Sequence, residues 1–303
     1  MSEKIIIDTD IGTDVDDAVA LVLALKSPEL DIQGVTTVYG DTDLRAAIAL
    51  KLIELSGKTG IPVAAGCARP LVRREPPYRT GYEGKGLDLG ENRLRPIVQH
   101  AADLIIEKVS EFPGEITLVT IGPLTNAALA FTKDPGITDK LKGLIVMAGA
   151  TRLGKEGLSL PVAEYNVKCD PEAAFIVFSS GIPLTMVGLD VTTKVRLNRD
   201  HLGLLKKRNT PLTDALAALL DVYWSRGEHT RDGSCMHDPL ALALAVDPSL
   251  VDITPMNIVV ETAGAFPGQT VAVEPEEGRA AVRVCTRVDA DRVLEFLKER
   301  LLQ

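Results

Sequence analysis

The sequence predicts an α/β fold: a single open, mainly parallel sheet flanked by helices, with a helical elaboration near the candidate site. Two observations carry this. Short apolar runs rich in Ile, Val and Thr alternate with helix-period segments through Asp190. The apolar runs end in turn chemistry, at Asp8-Thr9-Asp10, Gly40-Asp41, Gly122-Pro123 and Ala148-Gly149. Strand–helix alternation of this kind requires crossover helices and therefore a parallel sheet. The 303 residues carry no internal repeat, low-complexity tract or linker-like shift, so residues 1–303 read as one domain.

The first strand is the run Ile5-Ile6-Ile7, and a helix follows from Val15 to Lys26, stopped by Ser27-Pro28. Asp31 to Tyr39 is a β-rich run, Asp43 to Leu55 a helix closed by Ser56-Gly57, and Ile61 to Ala65 a third strand. The stretch from Ala68 to Arg95 breaks this rhythm with Pro, Gly and Arg; it reads as a lid over the crevice or as a solvated excursion. Alternation resumes with a helix over Pro96 to Glu111, a strand over Ile116 to Ile121, a helix over Leu124 to Phe131 and a strand over Leu144 to Met147. A second long loop, Ala150 to Cys169, precedes a helix opened by Asp170-Pro171-Glu172, with proline in its first turn. Leu184 to Val187 is the sixth strand. Helices are then expected over Arg199 to Lys207, Pro211 to Ser225 and Leu240 to Val246, the last opened by His237-Asp238-Pro239. The tail from Ile253 to Arg287 reads as short strands, and Asp289 to Leu302 as a closing helix.

Charged residues make up 25% of the chain and hydrophobic ones 46%, an ordinary globular composition. A net charge of −9 argues against a nucleic-acid-binding surface. No apolar run is long enough to span a bilayer, and Ser2-Glu3-Lys4 leads into a strand rather than a signal region. The four cysteines, Cys67, Cys169, Cys235 and Cys285, lack metal-type spacing and read as free thiols of a reducing compartment. Together these point to a cytoplasmic protein with no nucleic-acid or membrane partner.

Chemistry concentrates where the first strand meets its helix. Asp8, Asp10, Asp14, Asp16 and Asp17 fall within ten residues. One or two could be a strand end and a helix cap. Five repel one another unless a cation or protons offset them, and an all-oxygen set suits a hard cation such as Ca²⁺ or Mg²⁺. An EF-hand register fails, because counting from Asp8 places Thr13 and Val19 where glycine and glutamate belong. A phosphatase of the haloacid dehalogenase type shares Asp8-Thr9-Asp10 but departs at Gly12. In an open parallel sheet the crevice lies beyond the C-terminal strand ends, where Asp10 and Asp41 are expected.

Six segments in order carry a resemblance: DTDIGTDVDDAVAL at the N-terminus, VTTVYGD (35–41), IGPLTNAALA (121–130), VMAGA (146–150), AEYNVKCDPEAA (163–174) and HDPLALA (237–243). With these the chain resembles the inosine–uridine type of nucleoside hydrolase over most of its length. The resemblance implies a Rossmann-like nucleoside hydrolase fold, a bound Ca²⁺, a nucleoside substrate, hydrolysis of the ribosyl N-glycosidic bond in nucleoside salvage, and assembly as a homodimer or homotetramer. It further implies Asp10, Asp17, Asp238 and the Ile121 carbonyl as calcium ligands, with Asp10 also the general base toward a calcium-bound water. It makes Asp16, Glu164 and Asn166 ribose contacts, Asp8 a support, and His237 the residue that activates the leaving base. Met147 joins the candidate substrate contacts.

The residue types suit that chemistry. Carboxylates stabilise oxocarbenium charge, diols need acceptors, and an imidazole can serve the leaving base. Water attack on a glycosidic centre follows the logic of glycoside hydrolysis. Tyr223, Trp224, His229 and Arg231 lie before His237 and are candidates to touch the base; core packing is the plain alternative for Trp224. Two departures bear on substrate: Asp41 stands where many members have Asn, and Gly157-Leu158 where many have Gly-Asn. They leave open hydrolysis of another N-ribosyl compound, or a ribose-binding homologue without turnover. Asp14, His100 and His201 receive no role.

Overall fold

The structure is a computed structural model that describes residues 2–72, 77, 80–90, 94–151, 163–225, 233–275 and 281–303. Its strands are β1 (Glu3–Thr9), β2 (Leu30–Thr37), β3 (Val63–Ala65), β4 (Ile116–Thr120), β5 (Gly143–Met147), β6 (Leu184–Val187), β7 (Arg196–Leu197), β8 (Ser234–Cys235), β9 (Val251–Val260), β10 (Thr270–Val273) and β11 (Val282–Val288). Nine of them form one sheet in the order β10-β9-β11-β6-β5-β4-β1-β2-β3, and β7 and β8 form a separate ribbon. From β11 to β3 every neighbouring pair is parallel.

β1 shows why the sheet is doubly covered. Ile5 and Ile7 enter one apolar layer and Ile6 the other, and none of the three is exposed. A strand apolar on both faces is stable only between helices. On the Ile6 face lie α3 (Ala101–Glu111), α4 (Thr125–Lys133) and α6 (Pro171–Phe178). On the other face lie α1 (Asp16–Leu25), α2 (Thr42–Leu55), α8 (Arg199–Arg208), α9 (Pro211–Ser225), α10 (His237–Val246) and α11 (Ala290–Leu301). The helices α8 and α9 are the elaboration, and they join the same layer as α1 and α2. Among the described residues, no helix is long and apolar enough to cross a membrane.

The structure corrects two local expectations and adds detail to two others. The helix expected from Pro96 begins at Ala101, because Ile97 bonds alongside β3 and His100 takes an extended backbone whose Nδ1 accepts from Ala102 N at 3.2 Å. The loop before Asp170 contains a short helix, α5 (Tyr165–Cys169), with Glu164 at its N-cap. After β6 the chain makes the turn α7 (Leu189–Thr192) and the β7–β8 ribbon, too brief for a periodic signal. The tail strands add an antiparallel edge: β9 pairs antiparallel with both β10 and β11. Of the stretch from Ala68 to Arg95, residues 80–90 lie against the acidic loop and α9, with Tyr82, Gly84 and Lys85 facing Gly12, Thr13 and Leu219 across a small pocket. Positions 73–76, 78–79 and 91–93 lie outside the described residues, as do Leu158, His229 and Arg231.

Candidate active site

The chain leaves β1 for β2 and β3 on one side, and β4, β5 and β6 build the other, so strand order reverses between β1 and β4. A crevice opens at the C-terminal strand ends of such a switch point. Asp10 follows β1, Ile121 follows β4, and Met147 ends β5. The two central strand tips approach closely. A Cβ on Gly122 would lie 2.8 Å from Asp10 N and 3.0 Å from Asp10 Oδ1, so only glycine fits there.

The acidic loop is held by named contacts. Thr9 Oγ1 donates to Asp17 Oδ1 at 2.5 Å and accepts from Ile11 N at 3.0 Å. Asp16 and Asp17 are buried in the first turn of α1. Asp16 Oδ2 accepts from His237 N at 3.1 Å and Asp238 N at 3.3 Å, the first backbone donors of α10. A carboxylate suits those free N–H groups and the positive end of the helix dipole. α1 packs on α10, and both helices carry small buried residues, Ala18, Ala20 and Ala24 on one and Ala241 and Ala243 on the other, which suits a close approach. Carboxylate oxygens of Asp16, Asp17 and Asp238 consequently lie within 4.8 Å of one another.

Two supports escaped the sequence reading. Arg45 of α2 is 2% exposed and sends Nε to Tyr39 O at 2.6 Å, Nη1 to Ile11 O at 2.9 Å and Nη2 to Thr13 Oγ1 at 2.8 Å. Its Nη2 also stands 3.9 Å from Asp10 Oδ2. A cation on an otherwise apolar helix face was the available signal. Asn126 of α4 donates Nδ2 to Asp8 Oδ1 at 2.8 Å and Thr37 O at 3.0 Å, and accepts from Cys67 N at 2.8 Å, tying together the ends of β1, β2 and β3. Asp8 also accepts from Thr36 Oγ1 at 2.6 Å; it is fully buried and does not line the cleft. A phosphatase nucleophile at Asp8 is thereby ruled out.

Asp10, Asp16, Asp17, Ile121, Met147, Glu164, Asn166, His237 and Asp238 all line one cleft of about 210 Å³. Glu164 Oε1 accepts from Asn166 N at 2.9 Å, and Oε2 from Gly149 N at 3.1 Å and Val167 N at 3.2 Å. Asn166 Nδ2 donates to Ile121 O at 3.2 Å and Met147 O at 3.0 Å, bridging the ends of β4 and β5. With that nitrogen committed, the amide oxygen is the group left to accept from a ligand hydroxyl. His237 Nδ1 lies 2.7 Å from Thr192 Oγ1, which fixes the ring and leaves Nε2 for a ligand.

Two expected contacts lie elsewhere. Asp41 caps α2, accepting from Leu44 N at 3.1 Å, and does not line the cleft. Trp224 is 2% exposed in the core, with Nε1 donating to Ser234 Oγ and Arg199 over its ring. Asp14 stands exposed at the cleft rim.

Burial pushes the carboxyl pKa values up, to about 7 at Asp8, Asp16 and Glu164 and to about 6 at Asp10, where Arg45 opposes the rise. Asp17 and Asp238 are also raised, first by burial and then by neighbouring aspartates. Burial and the Arg196 charge push His237 down to about 4, so its imidazole is neutral at pH 7. A buried cluster with this much mutual repulsion and one adjacent cation fits a divalent metal held by oxygen ligands.

Comparison with known proteins gives the family and the fold. A family model described as inosine-uridine preferring nucleoside hydrolase matches residues 5–295. The chain is 35% identical to uridine nucleosidase 1 of Arabidopsis thaliana, over 99% of this chain and 94% of that protein. It is 36% identical to the pyrimidine-specific ribonucleoside hydrolase RihA of Photobacterium profundum, over 99% of each. Among solved structures, the purine-preferring ribonucleoside hydrolase from Gardnerella vaginalis superposes with a TM-score of 0.90 at 31% identity, covering 99% of this chain and 98% of that one.

Proposed function

The chain belongs to the inosine-uridine preferring nucleoside hydrolase family and is an N-ribohydrolase, and from that premise we propose which cation and which residues perform the hydrolysis. Asp10, Asp17, Asp238 and the Ile121 carbonyl, which all line the cleft, would hold Ca²⁺; the carboxylates that lie within 4.8 Å of one another are those of Asp16, Asp17 and Asp238. The observation that carries this reading is the meeting of three buried carboxylates from opposite ends of the chain on one cleft wall. Ca²⁺ supplies positive charge that acidifies a neighbouring water.

Asp10 takes the proton of the attacking water, and the nearby Arg45 keeps that carboxylate in place and favours its charged form. Glu164 and the Asn166 amide oxygen accept from ribose hydroxyls, held for that purpose by the β4 and β5 ends. The surrounding carboxylates stabilise positive charge as C1′ loses the base. His237, oriented by Thr192 and neutral at pH 7, offers Nε2–H to the departing base. A salvage role follows from the products, ribose and a free base.

The reading of another N-ribosyl substrate loses one of its two motives, because Asp41 is engaged in capping α2. The test is incubation with a panel of nucleosides and Ca²⁺, measuring reducing-sugar release. Release is expected with at least one ribonucleoside, and none with any would sink the proposal. Asp10→Ala should lower kcat by about 10²–10⁴-fold, and full activity in that variant would overturn the role of Asp10.

A further inference from the structure

The cleft continues past His237. A second cavity, of about 300 Å³, shares Asp14, Asp16 and His237 with the first and extends to Arg196, Tyr223 and Cys235. The β7–β8 ribbon builds its far wall. Arg196 and Cys235 are direct partners in that ribbon, so their side chains share a face. The ribbon is tight at its end: a Cβ on Gly233, whose φ is +96°, would fall 1.8 Å from Leu197 O.

Arg196 is fixed there by two bonds, Nη1 to Cys235 Sγ at 3.1 Å and Nη2 to Gly233 O at 2.8 Å. A guanidinium has five N–H donors. Those not engaged remain for a ligand in the cavity, and the side chain is exposed there, so a ligand can reach it.

This placement matters for bond cleavage. When water oxygen bonds to C1′ and its proton passes to Asp10, the C1′–N bond breaks and its electron pair goes to the base. In bases with ring carbonyls, that charge spreads onto oxygen. Glu164 and Asn166 line the first cavity alone and His237 lines both, so a ribose held by Glu164 and Asn166 can direct its base past His237 toward the second cavity.

We propose that Arg196 is the receptor of the leaving base: its guanidinium donates to a carbonyl oxygen of the departing ring and stabilises the charge that collects there. The substrate class is then nucleosides whose base carries such an oxygen, uridine and inosine, over adenosine, whose amino group would face a donor with a donor. The inference rests on the nucleoside hydrolase reading of the adjoining cleft.

Arg196→Met and Arg196→Lys separate the possibilities, assayed with uridine, inosine, adenosine and 4-nitrophenyl β-D-ribofuranoside. The nitrophenolate leaves without help, so it reports on ribose binding and water attack alone. Arg196→Met is expected to lose about 10²-fold in kcat/KM on uridine and inosine, to stay within about twofold on the aryl riboside, and to bring the inosine-to-adenosine ratio toward one. Arg196→Lys should recover part of the loss. Equal losses on all substrates would assign Arg196 a structural role and overturn the proposal, as would no loss on uridine and inosine. A parent enzyme active on uridine with an unaffected Arg196→Met overturns this inference alone. A parent enzyme that releases ribose from no nucleoside overturns the underlying reading as well.

Discussion

Arg45 is the side chain on which the acidic loop depends most. It is buried, and three oxygens from two loops accept from it. Methionine would fill similar space while stranding those acceptors. Arg45→Met should therefore cost roughly 3 kcal/mol in urea denaturation, and it should weaken Ca²⁺ binding measured by titration calorimetry. Unchanged affinity would show that the loop holds its shape without the guanidinium. Thr192 has a narrower task. Thr192→Val removes the partner of His237 Nδ1, so kcat on nucleosides should fall by about tenfold with stability little changed, as expected for one orienting hydrogen bond.

At the scale of elements, the site is made by helix starts and strand ends. α1 and α10 bring their N-termini together, and Glu164 caps α5 while lining the cleft. The other face relies on a similar joint. Asp170 Oδ1 caps α6 through Ala173 N at 3.1 Å, and Oδ2 accepts from Leu71 N at 2.9 Å and Thr125 Oγ1 at 2.7 Å. Asp170→Ala should lower unfolding free energy by about 1–3 kcal/mol in urea and leave kcat within about threefold, since Asp170 does not line the cleft. A large loss of activity without a loss of stability would place it in the chemistry instead. The elements were largely legible: periodicity predicted α1, α2, α9 and α11 to within a residue or two. It misled at residues 96–100, where bonding to β3 overrides helical propensity, and it could not find α5, α7 or the β7–β8 ribbon, which are shorter than any period.

Across the whole molecule, the carboxylate cluster links metal, protons and stability. Asp10, Asp16 and Glu164 have folded-state pKa values raised to between about 6 and 7. Without metal, the folded chain binds more protons than the unfolded one across pH 4 to 7, so stability is greatest below that window and is lost as pH rises through it. With chelator present, Tm should fall by on the order of 5–10 °C between pH 5 and pH 8. Saturating Ca²⁺ should reverse the trend, because ligand carboxylates must shed their protons to bind it. A chelated protein with a flat profile over that range would remove the electrostatic argument for a cation. Scanning calorimetry at fixed ionic strength makes the measurement.

By itself the sequence determined that a parallel α/β sheet forms, that its first turn carries more carboxylates than capping can use, and, through its six motif segments, which family it resembles. Those features are local: alternation, turn residues and charge density lie within a few residues of one another. Tertiary structure alone decided that Asp16 and the start of α10 meet across 221 residues, that Arg45 holds the loop between them, that Asp41 caps a helix, and that Trp224 belongs to the core. Those outcomes depend on how alanine faces let two helices approach and on which buried polar groups find partners. No stretch of sequence contains both halves of such a contact, so only the packed chain decides them.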